Sequence, residues 1–488
     1  MLVGFILIFV LSLFAVCLYY KRQRLTTGKD IPRPRGFPII GNINLLLGNL
    51  APCIVLQRVG RELGDVFKLS IGFKDVVVLN SAEVIREAFG KKGDDFSGRP
   101  YVYSIDRISH GDGGIAFRDF SPSLVQHKKV SAAALRSNFV GYFEESTGKC
   151  IFRELDELLS SFQKECNAFD PSDILNVAIA NIILNITCSI KYEAGDIELE
   201  ELLQANDNLK VIFKVGDIID VFPCLKVFPN KRQRLVVQLI NIRDKVFVRE
   251  YERHKCSHDP DNTRDFVDAL LNLGYLPKDQ IVMTAWEMFS GGFESTFQTM
   301  RWAILYLMMN QEVQSKIQRE LDENSWHRYP AWKNRRHLPY LEATVLEVLR
   351  HSSFSSLNGP HQTTIDTEIS GYKIPKGTMV LSNLWWVHHD PSTWTSPGEF
   401  NPDRFIDTKG SVHVPPQFLP FSIGRRKCLG DQFAKMEVFT LLGGILQRYT
   451  ILPSAGDPIP SAEPSEPDMI RVADPFRIQV LPRAKQIS

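Results

Sequence analysis

An excess of charge of either sign is the first thing this chain lacks. Its 57 Lys and Arg face 56 Asp and Glu, a formal net charge of +1 with His neutral. General nucleic-acid binding wants a clear basic surplus, so that class is excluded. Cysteine is sparse as well: eight in 488 residues, none in a C-x-x-C pair. That removes zinc-site spacing and any disulfide framework, and it places most of the chain in a reducing compartment. Seven of the eight read as small buried apolar residues; Cys428 stands apart. Repeats, low-complexity tracts and long linkers are missing between residues 43 and 488, so this span reads as one domain. With 44% hydrophobic and 23% charged residues, the composition is neither that of a disordered chain nor that of a polytopic membrane protein.

One uncharged run is present, from Leu2 to Tyr20. As a helix it would reach ~28 Å, close to a bilayer's hydrocarbon core of ~30 Å. No basic residue precedes it, which argues against a cleaved signal peptide. Lys21, Arg22, Arg24, Lys29, Arg33 and Arg35 follow it against the single acid Asp30. Since basic flanks stay on the cytoplasmic side, residues 1–20 read as a signal-anchor transmembrane helix with the body facing the cytosol. Residues 21–42 are basic and proline-rich, either a stiff spacer or an ordinary linker. The body, 43–488, is the expected catalytic domain.

Within the body, Val66–Asn80 reads as a strand pair around the turn-like Gly72-Phe73-Lys74-Asp75. Most of 140–352 has helical periodicity, as in 151–163 and 311–323. From Ile365 onward β-like segments and turns return, and a helical pattern closes the core at 429–449. The fold class is mainly α with a smaller β region. The longest helix candidate starts near Pro277 and ends at Asn310, apolar on nearly every face, so it should cross the middle of the protein. At its centre stand Gly291-Gly292-Phe293-Glu294-Ser295-Thr296. Two interior glycines cost roughly 1 kcal/mol each, and a carboxylate there is costly to bury unpaired. Two readings stay open: a helix crossing eased by glycine, or a locally opened turn beside a ligand, carrying an acid and two hydroxyls.

Near the C-terminus the chain reads Phe421-Ser422-Ile423-Gly424-Arg425-Arg426-Lys427-Cys428-Leu429-Gly430. A thiol at a helix N-terminus among cations should have a lowered pKa, fit for a nucleophile or a metal ligand. Gly424 and Gly430 should let the backbone turn tightly and approach a flat ligand. The segment resembles F-x-x-G-x-R-x-C-x-G, the haem-binding loop of the cytochrome P450 family, at every fixed position. Glu347-Val348-Leu349-Arg350 resembles that family's E-x-x-R, and Pro402-Asp403-Arg404-Phe405 its P-x-R-F, in the family's order. The resemblance spans about residues 30 to 485.

What the resemblance implies is a haem-thiolate monooxygenase that inserts one oxygen atom of O2 into a lipophilic substrate. Cys428 would ligate the iron of haem b. Arg426 and His361 would bind propionates, and Lys128 would replace the charge of the third-helix W-x-x-x-R, which reads Leu124-Val125-Gln126-His127-Lys128 here. Phe421, Gly424 and Gly430 would shape the cofactor loop. Glu347, Arg350 and Arg404 would form a buried charged triad. Glu294, Ser295 and Thr296 would deliver protons, with Ser295 standing where the family carries threonine. Ser353 stands where the family's proline follows E-x-x-R. Adjacent His388-His389, taken as part of a strand, reads as structural.

Electrons would come from NADPH through cytochrome P450 reductase, with cytochrome b5 as a possible second partner. Lys128, Lys129, Arg425, Lys427 and Lys435 would offer an acidic partner its docking face. Membrane lipid would contact the anchor, in the endoplasmic reticulum. Among branches, the stretches 91–100, 114–117, 224–230, 341–350 and 388–394 resemble the steroid 17-alpha-hydroxylase/17,20-lyase group, although Ile212 stands where that group places a steroid-binding asparagine. Alternatives are a xenobiotic- or fatty-acid-oxidising monooxygenase, or a haem-binding protein without turnover.

Overall fold

The structure, a computed structural model, describes residues 9, 12–14, 30–37, 40–72, 74–109, 114–139, 142–212, 230–324, 328–464 and 469–483. The expected anchor, residues 1–20, lies outside them apart from 9 and 12–14. Among the described residues no helix is long and apolar enough to cross a membrane. From Pro32 to Asn42 the chain is tied to the first strand: Lys68 donates to the Pro32 carbonyl at 2.8 Å, and the Asn42 side chain accepts from the Ser70 amide at 3.0 Å.

Helices dominate. Those that place the site are α1 (Pro52–Leu63), α2 (Pro122–Phe139), α3 (Tyr142–Lys164), α4 (Ser172–Cys188), α5 (Ile197–Ile212), α6 (Lys231–Arg243), α7 (Lys278–Met309), α8 (Gln311–Glu323), α9 (Pro339–Ser352), α10 (Leu384–His389) and α11 (Asp431–Arg448). The strands are β1 (Val66–Ile71), β2 (Lys74–Leu79), β3 (His361–Gln362), β4 (Thr367–Ile369), β5 (Tyr372–Ile374), β6 (Met379–Ser382), β7 (Tyr449–Pro453) and β8 (Ile478–Pro482). One sheet runs β1-β2-β6-β3; β4-β5 and β7-β8 are separate pairs. The expected hairpin is β1 against β2, antiparallel, with Ile71 opposite Lys74. β6 adds to it in parallel, through a connection that contains most of the helical body.

α7 is the axis of the largest core cluster, and every residue from Thr296 to Met308 is buried. Pro277 precedes its first turn, as the sequence indicates. The opened turn at Gly291-Gly292 is absent: the helix is continuous from Lys278 to Met309. A Cβ on Gly292 would stand 3.2 Å from Ile183 of α4, so this glycine serves a close helix crossing. Packing against α4 outweighs the propensity cost. Phe289, Phe293 and Phe297 stack along another face of α7, with centroids 5.6 and 5.8 Å apart.

Asn383-Leu384-Trp385 opens a helix rather than a strand. The Asn383 side chain caps α10 by accepting from the Trp386 amide at 3.1 Å. Both histidines of α10 are buried, and burial pushes His388 down to about 3, so each ring is neutral. Cys53, Cys150 and Cys188 are buried as expected, while Cys166 and Cys256 are exposed instead; no disulfide forms among the described residues.

Candidate functional site

The cysteine loop is built on one close backbone contact. Gly424 has φ of +76°, and a Cβ there would sit 1.8 Å from the Phe89 carbonyl oxygen. Only glycine fits, and the loop is thereby pressed onto the segment that follows β2. A short 3-10 turn, Gly424–Arg426, follows, and the Cys428 amide donates to the Phe421 carbonyl at 3.1 Å. Lys435 lies 5.9 Å from the centroid of the half-buried Phe421 ring. Gly430 is different from Gly424: its φ is an ordinary −87°, and a Cβ there would meet only open space. No contact within the protein demands glycine at this position.

Cys428 keeps exposed surface at the start of α11. Its thiol is nevertheless raised, not lowered as the sequence suggests. Desolvation by surrounding protein pushes it up, and the carboxylate of Asp431 adds to that, while the Gly430 amide, Lys128 and Lys427 pull the other way without prevailing. The cations here are committed elsewhere: Lys427 pairs with Asp431 at 2.7 Å, and Arg425 with Asp94 at 2.7 Å. The protein alone therefore makes a thiol; a coordinated metal ion deprotonates such a group outright.

Next to the loop, four basic side chains converge. Arg426 donates to the carbonyls of Ser97 at 2.8 Å, Ile115 at 3.2 Å and Arg118 at 2.8 Å. Arg99 donates to Ala116 at 2.9 Å, Gly359 at 2.9 Å and Pro360 at 2.6 Å. Lys128 reaches from α2 to the carbonyls of Arg425 and Lys427. His361 gives its Nδ1 to Phe96 O at 2.7 Å and stacks on Phe89 at 4.0 Å. Burial first, then mutual repulsion, lowers Arg99 to about 9, Lys128 to about 8 and His361 well below its usual value. Arg426 falls to about 10 through burial. Such a cluster wants an anion with more than one carboxylate. A propionate-bearing cofactor supplies that, so the donor set fits haem. Arg99 is not singled out by the sequence, because an arginine in a Gly-Pro loop reads as a surface cation.

The central helix departs from expectation in detail. Glu294 is held by α5. It accepts from Asn206 Nδ2 at 3.1 Å and pairs with Lys210 at 3.1 Å, both on α5, and accepts from Gln298 at 3.0 Å. Ser295 is only partly covered, and its hydroxyl donates to the Gly291 carbonyl at 2.7 Å. Thr296 points to α11 and donates to buried Glu437 at 3.3 Å; burial holds that carboxyl far above its usual range, hence protonated. The acid and the two hydroxyls thus leave the helix in three directions. A further carboxylate on the same helix, Glu287, was not marked by the sequence. It accepts from the amides of Ile115 at 2.7 Å and Ala116 at 3.2 Å.

Away from the loop, Glu347 and Arg350 pair at 2.7 Å and Arg404 joins Glu347 at 3.1 Å, almost wholly shielded from water. The three are brought together across α9 and the Pro402–Phe405 turn. Their remaining donors go to carbonyls of His388, Pro397, Glu399, Thr395 and Ser396. Ser353 ends α9 with φ of +40°. Its hydroxyl donates to Arg350 O at 2.7 Å and accepts from His388 Nδ1 at 2.9 Å, while His388 Nε2 accepts from the Leu419 amide at 2.9 Å.

Comparison with known proteins gives the family. The cytochrome P450 family model matches residues 31–480. A steroid 17-alpha-hydroxylase/17,20 lyase of Gallus gallus is 35% identical over 477 residues, covering 93% of this chain and 94% of the relative. That of Ictalurus punctatus is 34% identical over 474 residues, 93% of this chain and 91% of the relative. Cytochrome P450 1A1 of Macaca mulatta is 32% identical over 469 residues, 90% and 91% of the two chains.

Proposed function

We propose, from the premise that the chain belongs to the cytochrome P450 family, that it hydroxylates a lipophilic substrate of steroid type, and that the Cys428 thiolate would hold the haem iron. Monooxygenase activity and thiolate-ligated haem iron are the family's, and hence this chain's. When bound, haem activates O2, and the thiolate ligand favours cleavage of the O–O bond. The protein's own part is binding, orientation and proton handling. Arg426, Arg99, Lys128 and His361 hold the propionates. With Nδ1 committed to Phe96, His361 can donate to a carboxylate only through a protonated Nε2. Gly424 fixes the loop, and Gly430 leaves room in front of it. Ser295 stands at the position of the family's threonine and passes a proton toward the substrate side. Thr296 with protonated Glu437 is a second donor pair, and Glu294 is a structural partner of α5. The Glu347–Arg350–Arg404 triad holds the segment leading to the cysteine loop.

Support for a steroid substrate is the likeness to the steroid 17-alpha-hydroxylases of Gallus gallus and Ictalurus punctatus; the comparable likeness to cytochrome P450 1A1 keeps a xenobiotic- or fatty-acid-oxidising monooxygenase as the second reading. NADPH-cytochrome P450 reductase is the proposed electron donor, with cytochrome b5 as an accessory. A surface cavity of about 270 Å³, lined by Leu124, Lys128, Lys129, Arg425 and Leu429, is the proposed docking face. Residues 1–20 anchor the catalytic domain to the endoplasmic reticulum, facing the cytosol. A glycan cannot report orientation at Asn185-Ile186-Thr187, because this sequon lies within α4 with Thr187 fully buried.

The observation that carries the reading is Cys428, exposed at the end of a loop beside three converging cations, Arg99, Lys128 and Arg426, and the neutral ring of His361. Reduced, CO-treated protein should show the red-shifted band of a thiolate ligand, and Cys428→Ala should abolish it; persistence of the band in that variant overturns the assignment. A screen of steroids and planar aromatics by haem spin shift decides the substrate class.

A further inference from the structure

Glu287 sits on α7 two turns before Ser295, and the chemistry assigned so far makes no use of it. Its carboxylate binds two consecutive backbone amides, Ile115 at 2.7 Å and Ala116 at 3.2 Å. The carbonyls of those same two residues face the other way, into the basic cluster. Ile115 O accepts from Arg426 at 3.2 Å, and Ala116 O accepts from Arg99 at 2.9 Å. Gly114 completes the device: a Cβ there would lie 2.0 Å from Glu287 Oε1, so the loop approaches the carboxylate only because residue 114 has no side chain. We propose that Glu287 is a positioning residue for the cofactor, a clamp that fixes the 115–116 peptide so that its carbonyl, that of Ile115, aims Arg426 at a propionate. The inference rests on the assignment of Arg426 to a propionate.

The arrangement is in series. The peptide between Ile115 and Ala116 gives its N–H, on Ala116, to Glu287 and its carbonyl, on Ile115, to Arg426; the carbonyl that Arg99 holds belongs to the next peptide along. Arg426 also holds carbonyls outside this segment, at Ser97 and Arg118. Loss of Glu287 therefore loosens it without freeing it. Glu320 provides an internal control. It too is a carboxylate accepting two consecutive amides, Tyr340 at 2.7 Å and Leu341 at 2.9 Å, but it caps α9 and touches nothing in the basic cluster.

The test is the rate at which full-length holoprotein gives up haem to excess apomyoglobin. Arg426→Ala should speed the loss, and Glu287→Ala should speed it about tenfold, the scale of one or two charge-assisted hydrogen bonds. The double variant should lose haem no faster than Arg426→Ala alone, since the two act in series. Glu287→Gln, which keeps an acceptor oxygen, should stay near the parent. Glu320→Ala should lower the unfolding midpoint and leave haem loss unchanged. Where Glu287→Ala fails to accumulate, Gly114→Ala displaces the same carboxylate and should act alike. Unchanged haem loss in Arg426→Ala overturns the propionate assignment, and the clamp with it. Faster loss in Arg426→Ala with none in Glu287→Ala or Gly114→Ala overturns the clamp alone, as does equal acceleration in Glu320→Ala.

Discussion

Single residues show where local sequence suffices and where it does not. Cys428 is legible because five fixed positions fall within ten consecutive residues, and Gly424 is demanded by one contact with Phe89. Arg99 is not, since its role depends on carbonyls at Ala116, Gly359 and Pro360 that only the fold assembles. Glu294 misleads for the same reason: its partners Asn206 and Lys210 come from α5. Ser295 remains the hydroxyl to test. Its bond to Gly291 O uses its proton locally, and a hydroxyl so held can exchange that proton with water arriving beside it. Ser295→Ala should keep the CO-difference band and substrate affinity while turnover falls on the order of tenfold or more and hydrogen peroxide per NADPH rises. Ser295→Thr should leave peroxide unchanged or lower it. Full coupling in Ser295→Ala would transfer the role to Thr296 and Glu437.

Elements follow their periodicity better than their propensity. α8 spans the predicted residues, and α7 begins after the predicted proline. The glycine pair suggests an opening because isolated helices dislike glycine, yet the helix stays closed and Gly292 lets the Ile183 side chain of α4 lie close against it. At the end of α9 a departure from the family pattern has a backbone cause. Ser353 sits at φ of +40°, whereas a proline ring locks φ near −65°. Ser353→Pro should therefore lower unfolding stability by ~3 kcal/mol or more in a urea titration. Ser353→Gly, which suits the backbone but loses the hydroxyl linking Arg350 O to His388, should cost about 1 kcal/mol. A proline variant as stable as the parent would mean that the helix end rearranges freely.

For the molecule as a whole, mainly helical character with a small sheet is readable from the chain, but its buried charges set a pH dependence that is not. Burial raises Glu320 to about 7 although two amides favour its anion. Between its unfolded value of about 4.3 and 7, the folded state holds a proton that the unfolded chain has released. Stability from this group is thus present at low pH and declines as pH rises through that window. His254, raised by its bond to Asp265 despite burial, adds in the same direction: its share is complete below about 6.5 and fades as pH climbs past its folded value. Urea midpoints at pH 5 and pH 8 should show Glu320→Gln with a flatter pH response than the parent; parallel responses would refute this. The junction between the cysteine loop and the segment at Phe89 to Asp94 carries a different consequence, in time rather than in energy. Arg425 meets Asp94 across 331 residues of chain. At bacterial-to-eukaryotic translation speeds of about 5–20 residues per second, the earlier partner waits roughly 20–60 s for the later one to be synthesised. The nascent polypeptide therefore leaves most of its length on the ribosome's far side before a cofactor cradle exists, and haem capture belongs to the newborn protein's last moments or to its life after release.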